Sequence, residues 1–273
     1  GAEQAAELAR APVDRGVAAE VAQVEHVVEG DPARGDAGGH RAESTVGPMR
    51  WIRALAAVAV LFTACSSEPR RTSTAPPARL TATVVATHAH DPSSFTEGLV
   101  FDRSGRLFES SGGYGTSDVR EVDPDTGAVR RRTALPAGWF GEGLAAPDDR
   151  LVQLTWKEGR ARTWRSDLTP VEDRRYAGEG WGLGFDAAAR RFVQSDGSAR
   201  LTFRDRDFAV TGHVTVRRDG RPVTALNELE VVGPRVWANV WRTDDLLRID
   251  PATGRVDGVV DLAALAPPGL TDP

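Results

Sequence analysis

Four short stretches place a glutamate at the opening of an apolar run: Thr96-Glu97-Gly98-Leu99, Gly141-Glu142-Gly143-Leu144, Gly178-Glu179-Gly180-Trp181 and Asn227-Glu228-Leu229-Glu230. Their glutamates are separated by 45, 37 and 49 residues. A carboxylate can take a proton from a reacting group and return it, and it does so best when its pKa is held near the working pH. Burial and neighbouring like charges both push a carboxyl that way. Several glutamates around one mouth would therefore form a proton-handling site. A lone Glu-Gly pair reads more simply as a turn with a solvated side chain. Four in phase, with Trp and Phe beside them, point to equivalent places in a repeated unit.

The elements that must position them are short strands. A period near 40–45 residues is the spacing of four-stranded propeller blades, whose equivalent positions face one end of a central channel. β-prone runs at residues 81–87, 99–101 and 106–110 are punctuated by turns, with Asp102-Arg103-Ser104-Gly105 as a hairpin signal. Asp123-Pro124-Asp125-Thr126-Gly127 and Asp250-Pro251-Ala252-Thr253-Gly254 repeat one turn at two places, and long helical periodicity is missing. An all-β propeller is the expected fold. Residues 81–273 hold a little over four blades at roughly 45 residues each.

A net charge of −5 gives no basic face for nucleic acid, so no nucleic-acid partner is expected. Arg130, Arg131 and Arg132 follow a turn and read as a solvated strand edge. A single cysteine rules out an internal disulfide and a zinc site of several thiolates. His88 and His90 could form a metal pair, but no third ligand lies near them in sequence, and turn or strand-end packing is the simpler reading.

Residues 49–64 have the parts of a secretory signal peptide: a basic start at Met49, then an apolar run over 54–64 that falls short of the roughly 20 residues needed to span a bilayer. Cys65 after Thr63-Ala64 resembles a lipobox, with Phe62 where leucine is usual. Residues 65–80 then read as a lipid-anchored flexible linker, residues 1–48 as a spurious or disordered extension, and residues 81–273 as the propeller domain. The expected location is the cell envelope or periplasm, with membrane attachment only through lipid on Cys65.

Eight ordered motifs resemble the plant-type and bacterial glutaminyl-peptide cyclotransferases. They open with His90-Asp91-Pro92-Ser93-Ser94-Phe95-Thr96-Glu97-Gly98-Leu99, Glu109-Ser110-Ser111-Gly112-Gly113-Tyr114-Gly115 and Phe140-Gly141-Glu142-Gly143-Leu144. Leu154-Thr155-Trp156-Lys157, Gly178-Glu179-Gly180-Trp181-Gly182-Leu183 and Ser195-Asp196-Gly197-Ser198 follow, then Leu226-Asn227-Glu228-Leu229-Glu230 and Ala238-Asn239-Val240-Trp241. The resemblance implies a five-bladed propeller, no cofactor and no catalytic metal. It also implies action on peptides or proteins with N-terminal glutamine, which are closed to pyroglutamate with release of ammonia. A monomer is expected.

That reaction needs an α-amine to attack its own γ-carboxamide, so the enzyme must hold a folded conformer and shuttle one proton. Glu142 matches the glutamate that the family's motif carries as catalytic. Asn227 offers an amide to the substrate carboxamide or the developing oxyanion. Trp156, Trp181 and Trp241 resemble the family's aromatic walls, with Phe95, Phe140 and Glu97 as further substrate-binding positions; core packing is the alternative for each aromatic. Two departures stand out: Glu97 occupies a place where the family more often has Gln, and the chain stops at Pro273 before segments that supply the family's last strands and a pocket lysine. The expected propeller is therefore incomplete at its C-terminus. A non-catalytic propeller lipoprotein that binds a peptide or protein partner is the competing reading.

Overall fold

The computed structural model describes residues 20–23 and 75–265. Apart from one 3-10 turn, Ala263–Leu265, every described element is a strand. The chain runs out and back in antiparallel hairpins that build four sheets. The first contains β4 (Thr96–Phe101), β5 (Leu107–Ser111), β6 (Asp118–Val122) and β7 (Val129–Ala134) in sequence order. The second contains β8 (Gly141–Ala145), β9 (Arg150–Thr155), β10 (Arg160–Arg165) and β11 (Pro170–Arg175). The third contains β12 (Leu183–Asp186), β13 (Arg191–Gln194), β14 (Arg200–Arg204) and β15 (Val210–Thr215). A hairpin of β16 (Arg217–Arg218) and β17 (Arg221–Pro222) precedes the fourth sheet. That sheet contains β18 (Leu226–Val232), β19 (Arg235–Val240), β20 (Asp245–Ile249) and β21 (Val256–Asp261). The architecture is propeller-like, with four blades among the described residues.

The two repeated Asp-Pro-x-Thr-Gly turns join the third and fourth strands of the first and fourth blades. In each, the glycine N–H donates to the aspartate carbonyl at 2.8 Å, and Gly127 and Gly254 take φ of 70° and 72°. The core lies between blades rather than within them. Phe108 and Val119 of the first blade pack on Leu144, Leu151 and Trp164 of the second. Val152 and Leu154 of the second meet Leu183 and Phe192 of the third, and Val193 and Leu201 of the third meet Leu226, Leu229 and Val236 of the fourth. The outermost strands of the first three blades are largely exposed, whereas β21 of the fourth is buried; in the first, Arg130 pairs with Asp123 and Arg131 with Glu121 at 2.6 Å, charges that discourage edge-to-edge pairing.

Neighbouring innermost strands approach so closely that only glycine fits. A Cβ on Gly98 would lie 2.6 Å from Leu144 N, one on Gly143 2.4 Å from Leu183 N, and one on Gly182 2.3 Å from Asn227 O. The glycine of each Glu-Gly or Trp-Gly pair thus joins one blade to the next through backbone.

The N-terminal part of the domain differs from expectation. The run over 81–87 is not one strand: β3 covers only Ala86–Ala89, and Val84 and Val85 are exposed. β-branched residues favour a strand only where a partner and a buried face exist. Upstream, β2 (Ala78–Leu80) pairs in parallel with β21 inside the stretch expected to be linker. β1 (Glu20–Gln23), within the expected extension, pairs antiparallel with β3. Cys65 and the apolar run over 54–64 lie outside the described residues.

Candidate active site

Three innermost strands break register at one place. Thr96 opposes Ser111, Gly141 opposes Thr155 and Leu226 opposes Val240; regular pairing resumes only at Gly98, Leu144 and Leu229. Such bulges bend the strand and re-aim the unpaired side chain. The residues freed are Glu97 in the first blade, Glu142 and Gly143 in the second, and Asn227 and Glu228 in the fourth; Glu97, Glu142 and Asn227, each the first after the last paired residue, are structural equivalents. The four-glutamate repeat needs correction here. In the fourth blade Asn227, not Glu228, stands in the glutamate's place, one residue out of phase. In the third, Glu179 precedes β12 altogether, because the strand starts only at Leu183.

All eight pocket residues expected from the sequence line a single cavity: Phe95, Glu97, Phe140, Glu142, Trp156, Trp181, Asn227 and Trp241. Backbone pairing sets the aromatic rings in equivalent positions, since Gly112 N donates to Phe95 O at 2.7 Å, Trp156 N to Phe140 O at 3.0 Å and Trp241 N to Ala225 O at 2.8 Å. The rings then meet edge-on in two groups. Phe95 and Phe140 are 6.2 Å apart and Phe140 and Trp156 5.6 Å, while Trp181 and Trp241 are 5.7 Å apart at 87°. Phe95 and Trp241 are half open to solvent at the rim, and Glu142 at the floor is only 6% exposed.

Burial is the largest influence on the carboxyls. It pushes Glu97 up to about 8. Burial, then the charges of Glu97, Glu179 and Glu158, hold Glu142 well above the usual carboxylate range. Glu228 is raised by burial and by Glu230, and its Oε1 is buried without a hydrogen-bond partner. A carboxyl held this way keeps its proton near neutral pH and can give or take it there.

Sequence reasoning missed the supports behind these walls. Glu158 accepts the Tyr114 hydroxyl at 3.0 Å and the Phe140 N–H at 3.2 Å, tying the Tyr114 ring to the Phe140 backbone. One oxygen of Glu179 accepts both the Trp156 indole at 2.8 Å and the Trp181 indole at 3.0 Å. The signal was a glutamate two residues from each tryptophan, Trp156-Lys157-Glu158 and Glu179-Gly180-Trp181. In the first blade, Glu109 Oε1 lies 2.9 Å from His90 Nε2 and accepts Ser94 Oγ and Thr96 Oγ1, both at 2.5 Å, which anchors the segment bearing Phe95. His90 thus faces a carboxylate, while His88 Nδ1 lies 3.4 Å from the Asp125 carbonyl. No group of three or more His, Cys, Asp or Glu able to hold a metal occurs among the described residues.

The chain is 40% identical over 186 residues to a glutaminyl-peptide cyclotransferase of Arabidopsis thaliana, a match covering 67% of this chain and 58% of that protein. The chain thus spans less than two thirds of the length of that curated relative. It also matches the crystal structure of Myxococcus xanthus glutaminyl cyclase with a TM-score of 0.67 and 39% identity, over 72% of this chain and 84% of that one. The family model described as glutamine cyclotransferase matches residues 56–272, and the chain belongs to that family.

Proposed function

We propose that the protein is a glutaminyl-peptide cyclotransferase, an acyltransferase that converts N-terminal glutamine of peptides or proteins to pyroglutamate and releases ammonia. The observation that carries this reading is the convergence of Glu97, Glu142 and Asn227, each freed by an equivalent bulge, on a cavity walled by aromatic rings. The rings exclude water and hold the aliphatic part of glutamine. Glu142, as carboxylate, accepts the proton of the attacking α-amine as the N–C bond forms at the carboxamide carbon, Cδ. It returns that proton to the departing nitrogen, which leaves as ammonia when the tetrahedral intermediate collapses. Asn227 donates from its amide to the oxyanion of that intermediate. Glu97 faces the same region of the pocket, and its charge disfavours ionisation of Glu142.

A fifth blade belongs to the same proposal. Gly127, in the last turn of the first blade, abuts the Ala89 carbonyl of β3 as Gly254, in the last turn of the fourth, abuts the Thr215 carbonyl of β15. By that equivalence β3 stands as the outermost strand of a blade preceding the first. We also propose export and lipid attachment at Cys65, which acylation with a labelled fatty-acid analogue tests: labelling that survives Cys65→Ser refutes it. For the activity, purified protein incubated with a Gln-initiated peptide should release ammonia and lower the mass of the peptide by that of the ammonia lost. Tight binding of the peptide without any ammonia would favour a non-catalytic receptor instead.

A further inference from the structure

The two halves of the aromatic wall belong to different blades and are not in edge-to-face contact with one another. Trp156, with Phe140 and Phe95, comes from the first and second blades; Trp181, with Trp241, comes from the third and fourth. What joins them is one carboxylate oxygen, Glu179 Oε2, accepting both indole N–H groups at 2.8 and 3.0 Å. Indole has no other polar atom, so its N–H partner fixes the rotation of the ring within its wall. Hydrogen bonds to a charged acceptor are about twice as strong as neutral ones.

Glu179 is itself held from behind. Its carbonyl accepts Gln194 Nε2 at 3.2 Å, and Gln194 Oε1 accepts the Nε of buried Arg204 at 2.5 Å. Arg204 donates also to the Phe208 carbonyl at 3.0 Å. A polar relay therefore runs from the outer part of the third blade to the pocket wall.

We propose that Glu179 is a positioning residue of this enzyme: it clamps Trp156 and Trp181 together across two blades, and its negative charge faces Glu142 from behind the wall. The proposal rests on the cyclotransferase reading for its kinetic consequences but not for the clamp itself. The charge matters because Glu142 is surrounded by acids. Glu97 on β4, Glu158 in the turn after β9 and Glu179 all disfavour its ionisation. Tyr114 and Tyr176 are the other titratable groups that feel its charge, and Glu228 on β18 lies further along, facing Glu97.

Two substitutions separate the roles. In Glu179→Gln the amide oxygen still accepts both indoles but the charge is gone. Glu179→Ala loses both. With a Gln-initiated peptide, Glu179→Gln should keep KM within about twofold while the acid limb of the rate profile moves down by about half to one pH unit, since Glu142 then ionises more easily. Glu179→Ala should show the same acid shift and a KM raised about tenfold through the lost charged hydrogen bonds. The clamp has a readout that needs no turnover. In tryptophan-labelled protein, two indole N–H resonances, assigned by Trp156→Phe and Trp181→Phe, should exchange slowly with solvent in wild type and in Glu179→Gln and rapidly in Glu179→Ala. Unchanged exchange of both signals in Glu179→Ala overturns the clamp, whatever the enzyme does. Normal exchange behaviour with no turnover in wild type would instead refute the cyclotransferase reading alone. An unshifted pH profile in Glu179→Gln overturns the electrostatic part. If Glu179→Ala fails to fold, exchange in Glu179→Gln decides: fast exchange there, with the fold intact, contradicts the clamp.

Discussion

The first two blades and the third begin from the same short motif and put its glutamate to opposite uses. In the first two, Glu97 and Glu142 sit inside a bulge between paired residues, so the backbone turns each carboxyl into the pocket. In the third, the strand starts four residues after Glu179, and the carboxyl bonds to the indoles from behind the wall. Side-chain chemistry is identical in the three; the place of the glutamate relative to the first ladder hydrogen bond decides whether it faces the pocket or supports the pocket wall.

The sharpest way to break that comparison is Glu142→Gln. It is nearly isosteric, and turnover should fall by about 10²–10⁴ while circular dichroism stays that of a folded β protein. Near-normal turnover would transfer the proton to Glu97 and remove the distinction between the two bulges. Gly143→Ala should be the largest effect on stability. Its Cβ would meet Leu183 N at 2.4 Å and Trp181 O at 2.5 Å, both backbone atoms that cannot swing away. A loss of about 3 kcal/mol in denaturant unfolding is expected. Gly138→Ala, with nothing within 4 Å of the added Cβ, is the control and should stay within about 0.5 kcal/mol of wild type. Equal losses would mean the interblade approach is not tight.

Glu97→Gln tests the other bulge more gently. Removing one like charge beside Glu142 lets that carboxyl ionise at lower pH, so the acid limb of activity should move down by roughly one unit. A shift to higher pH would contradict the sign. The smallest effect concerns the anchor of the first blade. His90 is raised above 6.5 chiefly by its bond to Glu109, with burial opposing. Its contribution to stability is complete below the unfolded value of 6.5 and disappears as pH rises through the folded one. Melting temperature should therefore decline slightly as pH is raised across that window, and His90→Phe should flatten the decline.

Much of this was legible in the chain because turns and glycines state their requirements locally. The two Asp-Pro-x-Thr-Gly turns join the same pair of strands in their blades, and the Glu97-Gly98 and Glu142-Gly143 pairs mark where the innermost strands of the first two blades begin. The Asn227/Glu228 phase was not legible, since a bulge shifts register by one residue and the shift depends on the strand opposite, Arg235–Val240. Residues 81–87 misled for a related reason: their Val and Thr content suits a strand, but pairing begins only at Ala86. Glu158 and Glu179 escaped because a carboxylate that holds a wall has the same local sequence as one that borders a turn.

The contact of Gly98, Gly143 and Gly182 with the next blade is made by main-chain atoms, and this has a consequence for how such a site changes over generations. Selection can exchange the side chain in a bulge without touching the joint beside it, because the joint asks only for the absence of a Cβ. Glu97, Glu142 and Asn227 already show two residue types in three equivalent bulges. The scaffold therefore separates heritable variation in chemistry from variation in architecture: a mutated bulge alters what the pocket does, and a mutated glycine decides whether there is a pocket.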